Sequence, residues 1–363
     1  MVPGVWCVVA RRCALAARFC IAGMVCLLAS TATVAHAGAD VIYGINDDNA
    51  RWMWPAFAAQ LSPMPPLYVG VALHTDCGGT VPPFGAVHPA QPLLATLLGP
   101  GAKNSPCLTD DGIAAYAQVA RELVLAYPSI RALQVWNEPD LCWFPCYGAE
   151  RKPRFQGWFL HRYLDLLAAT YDAVAGTGVA VLGFGMSPRI GSKWSPEGLA
   201  REVVDWYGAT GRTRPVMDGF AWHPYCNYRE TTTNRIVAAF DQAWTPRTKR
   251  WDLDARPLPQ QSPSRGLKIW WTETGLDTGR VAGDHGYTGV EGGITACAHG
   301  SESLQARRVA AVARAARTSS FVAADFNFLL TDQANLAYWQ TGFYRPDGTS
   351  KPALAAFVDA ITE

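Results

Sequence analysis

From Val41 to Ile361 the chain alternates short β-branched or aromatic runs with longer amphipathic stretches, and that rhythm admits few folds. Strands are predicted at Val41–Ile45, Leu67–Leu73, Ala132–Asn137, Val179–Phe184, Asp218–His223, Lys268–Thr272 and Phe321–Phe328. Helices are predicted at Trp52–Leu61, Asp111–Ala126 with Asp110 as N-cap, Phe155–Val174, Pro196–Tyr207, Asn234–Trp244, Ser303–Ala316 and Ala353–Ile361. Strict β-then-α alternation calls for a parallel sheet covered by helices, and the expectation is an α/β fold, a single-domain (β/α)8 barrel. Seven strands stand out. The eighth should lie between Gly70 and Ala114, where the one apolar run, Leu93–Leu98, reads as helical; the third strand is therefore the uncertain one.

The first 37 residues follow another pattern. Arg11, Arg12 and Arg18 precede an apolar stretch from Phe19 to about Ser30, and Ala35-His36-Ala37 offers a small-x-small cleavage site, the order of parts in a secretory signal peptide. The alternative, a membrane anchor, wants about 20 apolar residues, more than this run supplies. The expected division is thus a signal peptide over 1–37 and a single barrel domain over 38–363, secreted to the periplasm or the extracellular space, with no membrane association after cleavage. Removal of three arginines takes the net charge from +1 to −2, and a nearly neutral chain of mixed sign carries no footprint for nucleic acid. Of the ten cysteines, six follow Ala37: Cys77, Cys107, Cys142, Cys146, Cys226 and Cys297. An even number in an exported chain points to disulfides. The simplest pairing joins Cys77 to Cys107, Cys142 to Cys146 and Cys226 to Cys297. None of the spacings suits zinc, and neither metal nor cofactor is expected.

Two strings carry the chemistry. Leu133-Gln134-Val135-Trp136-Asn137-Glu138-Pro139-Asp140 is an apolar strand ending in Asn-Glu-Pro, with the proline stopping the strand just past the glutamate. Ile269-Trp270-Trp271-Thr272-Glu273-Thr274-Gly275 is a second strand ending in a glutamate. In a barrel both ends open on one cavity at the C-terminal face. The long connections Thr75–Asp110 and Gly275–Ser301 rise on that face, whereas the Pro- and Arg-rich Trp244–Gly266 follows a helix and lies opposite.

These residues resemble the clan-A retaining glycoside hydrolases, TIM barrels whose acid/base follows strand four in Asn-Glu-Pro and whose nucleophile ends strand seven. Ala221-Trp222-His223-Pro224-Tyr225 matches the His-x-Tyr pattern ending strand six. Trp339-Gln340-Thr341-Gly342 and Asp347-Gly348-Thr349-Ser350-Lys351-Pro352-Ala353 are similar to the ending after strand eight. The resemblance spans the chain from Val41, most firmly from Ala114 onward. It leans to family thirty-nine and its exopolysaccharide-cleaving relatives over the family-five cellulases. It implies a secreted retaining O-glycosyl hydrolase, acting on a β-linked oligo- or polysaccharide and expected to be a monomer. Glu138 is then the acid/base and Glu273 the nucleophile; Asn137 meets a sugar 2-hydroxyl, and Tyr225 donates to the nucleophile. Trp339 stacks on a sugar ring. His223 positions the acid/base or a sugar hydroxyl, unless it is an ordinary core histidine.

Further expected sugar contacts, each weighed against ordinary packing, are His74 and Asp76 after the second strand, Asn46, Asp47 and Asp48 after the first, and Trp143 and Trp222 as stacking rings. Many clan members end an early strand in Arg; no early strand here does, which leaves the family within the clan open. The chemistry asks for such a pair: an oxocarbenium-like transition state needs a proton for the departing oxygen and an anionic partner below the ring, with the carboxyls roughly 5–5.5 Å apart. Trp136 and Pro139 are the apolar neighbours expected to keep Glu138 protonated. The competing readings are a transglycosylase using the same pair, a non-catalytic carbohydrate-binding barrel, and a metal-dependent hydrolase, for which no ligand cluster is evident.

Overall fold

The computed structural model describes residues 41–47, 55–77, 91–99, 106–139, 153–187, 196–225, 230–244, 266–278, 300–334 and 339–363. The signal segment, Asp48, Trp143 and the cysteines Cys142, Cys146, Cys226 and Cys297 lie outside them. Eight strands, β1 (Ile42–Asp47), β2 (Tyr68–His74), β3 (Leu93–Leu98), β4 (Ile130–Val135), β5 (Ala180–Met186), β6 (Gly219–Trp222), β7 (Lys268–Thr274) and β8 (Val322–Phe328), close into one barrel in sequence order. Every neighbouring pair is parallel, including β8 with β1. Among the described residues the helices are α1 (Pro55–Leu61), α2 (Asp110–Ala126), α3 (Pro153–Val174), α4 (Pro196–Thr210), α5 (Glu230–Trp244), α6 (Glu302–Thr318) and α7 (Pro352–Thr362). None is long and apolar enough to cross a membrane. The fold is the (β/α)8 barrel expected.

The segment Leu93–Leu98 is the third strand, not a helix. Leu-Leu-Ala-Thr-Leu-Leu lacks the alternation of a half-exposed strand because it is covered on both faces: Leu94 faces the barrel interior, while Leu93, Ala95 and Leu97 join the shell beneath the helices. The start of α2 also differs from expectation. Thr109, not Asp110, is the N-cap, accepting from the Gly112 N–H at 3.1 Å, and the two aspartates after it occupy the first turn.

The core has two layers. Inside the barrel, Leu94, Ala132, Leu182, Ala221, Trp270, Ala324 and Phe326 form a compact plug, with the Trp270 and Phe326 rings stacked at 6.4 Å. Outside, the alternate residues of the same strands meet the apolar faces of the helices, where Tyr163, Phe184, Phe220 and Phe240 follow one another at 4.9–5.6 Å. A filled interior leaves the C-terminal ends of the strands as the place where polar groups can gather.

Candidate active site

Backbone bonds continue past the end of β4 and aim the Asn-Glu pair. Trp136 N–H donates to the Leu97 carbonyl on the β3 side at 3.0 Å, and Glu138 N–H donates to Gly185 on the β5 side at 2.9 Å. The segment is thus stitched to both neighbouring strands. Trp136 and Glu138 accept left-handed backbone angles, φ 68° and 43°, a conformation unfavourable for side-chain-bearing residues and concentrated at functional sites. Gln134, fully buried, donates to the Trp136 carbonyl and to Asn137 Oδ1, both at 3.1 Å. Gly185 makes that possible: it sits at φ 49°, and a Cβ there would come 2.4 Å from Gln134 Nε2. Tyr163 braces the same region from α3, donating to the Val135 carbonyl and accepting from Phe184 N–H.

Glu138 and Glu273 are both buried and face one another. Between them stands His223, just past β6, fully buried and fixed by a 2.8 Å backbone bond to Met186. Its Nδ1 lies 3.1 Å from Glu138 Oε1 and 3.5 Å from Glu273 Oε2. Tyr225, at φ 42°, donates its hydroxyl to Glu273 Oε2 at 2.6 Å, the short contact expected when the acceptor is ionised. One oxygen of each glutamate and a ring nitrogen of His223 all lie within 4.8 Å of one another. That trio has a donor set a divalent ion could use, but the imidazole nitrogen sits at hydrogen-bonding range of the carboxylates, an arrangement suited to sharing protons. One wall is aromatic: the half-buried Trp339 ring lies parallel to Tyr225 at 5.5 Å and edge-on to Phe328 at 5.5 Å.

The sequence-derived candidates divide clearly. Asn137, Glu138, His223, Tyr225, Glu273 and Trp339 are gathered, across four strand ends and 202 residues of sequence, into one site. His74 ends β2 exposed, and no described hydrogen bond or ion pair joins it to either glutamate; Asp76 is exposed as well. Asn46 and Asp47 do not follow β1 but belong to it, and both are buried. Asp47 faces the Leu330 N–H at 3.4 Å, and the Asn46 amide is committed to the Thr272 carbonyl at 3.0 Å. Trp222 is buried in the shell under the helices, so it packs rather than stacks on a sugar. The Trp136 ring lies against Tyr116 at 6.4 Å, on the same outer side.

Behind β7, Asp325 is buried on the helix-facing side of β8, and burial pushes its carboxyl up to about 7 despite a 2.9 Å bond from the Thr274 hydroxyl. Near Trp339, Lys351 and Asp332 form a buried pair at 2.6 Å, the lysine also reaching Thr278 and the Gln340 carbonyl at 3.0 Å. Desolvation weakens both charges, raising Asp332 to about 6 and lowering Lys351. The pair braces the segment that carries Trp339. Cys77 and Cys107 are joined in a disulfide that ties the end of β2 to the turn before α2.

No known family profile matches the sequence, and no curated protein matches it. Among solved structures, a GH5_18 protein from Bifidobacterium longum subsp. infantis superposes with a TM-score of 0.50 at 11% identity, over 89% of this chain and 78% of its own. Bacteroides uniformis β-glucuronidase 2, solved with cyclophellitol-6-carboxylate aziridine covalently bound, gives 0.50 at 10% identity over 85% of this chain and 34% of its own. A GH128 (subgroup I) endo-β-1,3-glucanase from Amycolatopsis mediterranei, solved with laminarihexaose, gives 0.46 at 14% identity over 88% of this chain and 99% of its own. The chain spans about half the length of the Ruminococcus gnavus and Lactobacillus rhamnosus β-glucuronidases it also resembles. At these identities the likeness is one of fold, and the fold is the (β/α)8 barrel.

Proposed function

We propose that the chain is an exported retaining glycosidase that hydrolyses a β-linked glycan by double displacement, with Glu138 as acid/base and Glu273 as nucleophile. The observation that carries this reading is the convergence of two buried carboxylates, one oxygen of each within 4.8 Å of the other, around His223 and the Tyr225 hydroxyl. A retaining enzyme holds its carboxyls roughly 5–5.5 Å apart so that one can attack directly, and an oxygen of each glutamate within 4.8 Å of the other supports that reading. Clan-A resemblance supports the assignment of roles along β4 and β7.

Glu273, ionised and held by Tyr225, attacks the anomeric carbon while Glu138 protonates the departing oxygen. In the second step Glu138 takes a proton from water, which attacks the glycosyl–Glu273 ester and restores the starting configuration. The Tyr225 donor favours the charged form of Glu273, and His223 Nδ1, within reach of both carboxylates, relays or balances charge as the proton on Glu138 comes and goes. Asn137, its oxygen held by Gln134, turns its amide toward the sugar 2-hydroxyl, and Trp339 offers an aromatic face to the ring. A disulfide at Cys77–Cys107 fits an oxidising compartment and thus export.

Paired substitutions test the roles. Glu273→Gln is expected to abolish turnover of aryl β-glycosides. Glu138→Ala is expected to keep glycosylation on substrates with good leaving groups and to regain turnover with azide, yielding the β-glycosyl azide. Full activity after either substitution ends the assignment.

A further inference from the structure

We propose that Asn46 is a positioning residue for Glu273, holding open the strand irregularity that turns this carboxylate into the barrel mouth. The inference rests on the nucleophile role given above. Side chains alternate along β7: Trp270 belongs to the interior plug and Trp271 to the outer shell. Continued alternation would put Thr272 inside and send Glu273 outward, toward the helices. Instead the Glu273 carboxylate meets Tyr225 and His223, at the mouth.

The β7–β8 register supplies the reason. Trp271 pairs with Asp325 and Thr274 with Asn327, so three steps along β7 match two along β8. One extra residue is accommodated between these pairs, and a bulge of this kind re-aims the side chain it carries. A bulge also withdraws backbone groups from the ladder, and a buried carbonyl left without a donor is costly. Thr272 O, the carbonyl of the peptide that leads into Glu273, lies within this irregular stretch.

Asn46 answers it. Its Nδ2 donates to Thr272 O at 3.0 Å, in a buried contact that reaches from β1 past β8 to β7. The strand next to Asn46 is cut away to admit it: Gly70 is its partner in the β1–β2 register, and a Cβ on Gly70 would lie 2.8 Å from Asn46 Oδ1 and 2.9 Å from its Cα. On the far side of Glu273, the Thr274 hydroxyl binds Asp325 Oδ1 at 2.9 Å and the Phe326 carbonyl at 3.0 Å. Glu273 is therefore held between two side-chain-to-strand contacts, of which Asn46 secures the peptide before it.

Two variants separate positioning from mere packing. Asn46→Leu keeps the volume and removes the donor. Asn46→Asp places a carboxylate against the Thr272 carbonyl at neutral pH, yet when protonated it can donate as the amide did. Crystal structures of both, with Asn46→Asp at pH 4.5 and 7.5, are expected to show Glu273 withdrawn from the Tyr225 hydroxyl, except in Asn46→Asp at the lower pH. On a panel of 2,4-dinitrophenyl β-D-glycosides, kcat should fall about a hundredfold for Asn46→Leu with KM little changed, as expected for a misplaced reacting group. The loss in Asn46→Asp should shrink as pH falls. Glu273 unmoved in both structures, or kcat unchanged in whichever variant folds, overturns the proposal. Glu273→Gln serves as the separate control: if it stays fully active the nucleophile role fails, while the crystallographic displacement still decides whether Asn46 holds Glu273.

Discussion

A single phenol hydroxyl does much to define the site. Tyr225 O–H, 2.6 Å from Glu273 Oε2, is the closest described neighbour of the proposed nucleophile, while its ring supports Trp339. Tyr225→Phe removes the donor and preserves the stacked wall, so kcat for aryl β-glycosides should drop about 10²-fold, the order found when one preorganised donor to a reacting oxyanion is lost. Steady-state kinetics with KM and kcat resolved will show this, and an unchanged kcat removes Tyr225 from the chemistry. Glu138 and Glu273 were legible in the sequence because each closes an apolar run, and a strand end in a barrel has one destination; His223 and Tyr225 were legible through the His-x-Tyr pattern of the clan the chain resembles. Gln134 was not, and Asn46 was singled out only as a sugar contact. Each lies within a strand, and what it does depends on the residue that faces it from another strand: Asn137 for Gln134, the Thr272 carbonyl for Asn46. The signal that could have suggested Gln134 was a polar amide inside the apolar run from Ala132 to Trp136.

Strands, turns and their ties explain how these side chains stay in place. The Cys77–Cys107 bridge closes a 30-residue separation between β2 and the turn before α2, next to the β3–β4 edge that delivers Glu138. Replacing both cysteines with alanine should lower stability by about 2–4 kcal/mol, chiefly by freeing the unfolded chain, and thermal unfolding with and without reductant will report it. A melting temperature that does not change would mean that the segment is held by packing alone. On the opposite wall, Lys351→Met leaves Asp332 buried beside Asp277 without its cation, a change expected to cost about 3–5 kcal/mol and to raise KM through the Trp339 segment. Urea unfolding and kinetics of that variant provide the check. Element boundaries were read within a few residues wherever periodicity was strong. They failed at Leu93–Leu98, since a strand buried on both sides has no polar face to mark its period, and at the start of α2, where Thr109 and Asp110 are both good caps and the backbone decides between them.

For the whole molecule, a closed barrel with a filled interior gives a rigid frame, and its buried titratable groups make stability depend on pH. Asp325 holds its proton to about 7 in the folded protein against an ordinary value of 3.8. Between those values the native state binds a proton that the unfolded chain has lost, so this residue's contribution falls as pH rises from about 4 to about 7 and is then flat. Asp325→Asn, which keeps an acceptor for Thr274, should therefore gain in melting temperature relative to the wild type as pH climbs through that window. Parallel curves for the two proteins would refute it. The barrel as a whole was readable from the alternation of segments, and with β3 in place the two glutamates stand at the fourth and seventh strands. Their facing across so small a gap could only come from the closed sheet. The most direct test of the account is proton NMR of a β-glycan or aryl β-glycoside digest, followed from the first minutes and before mutarotation. The β-anomer should accumulate first, because an attack by Glu273 and a second by water restore the configuration. Initial release of the α-anomer would mean that water, not Glu273, meets the anomeric carbon, and would contradict the double displacement.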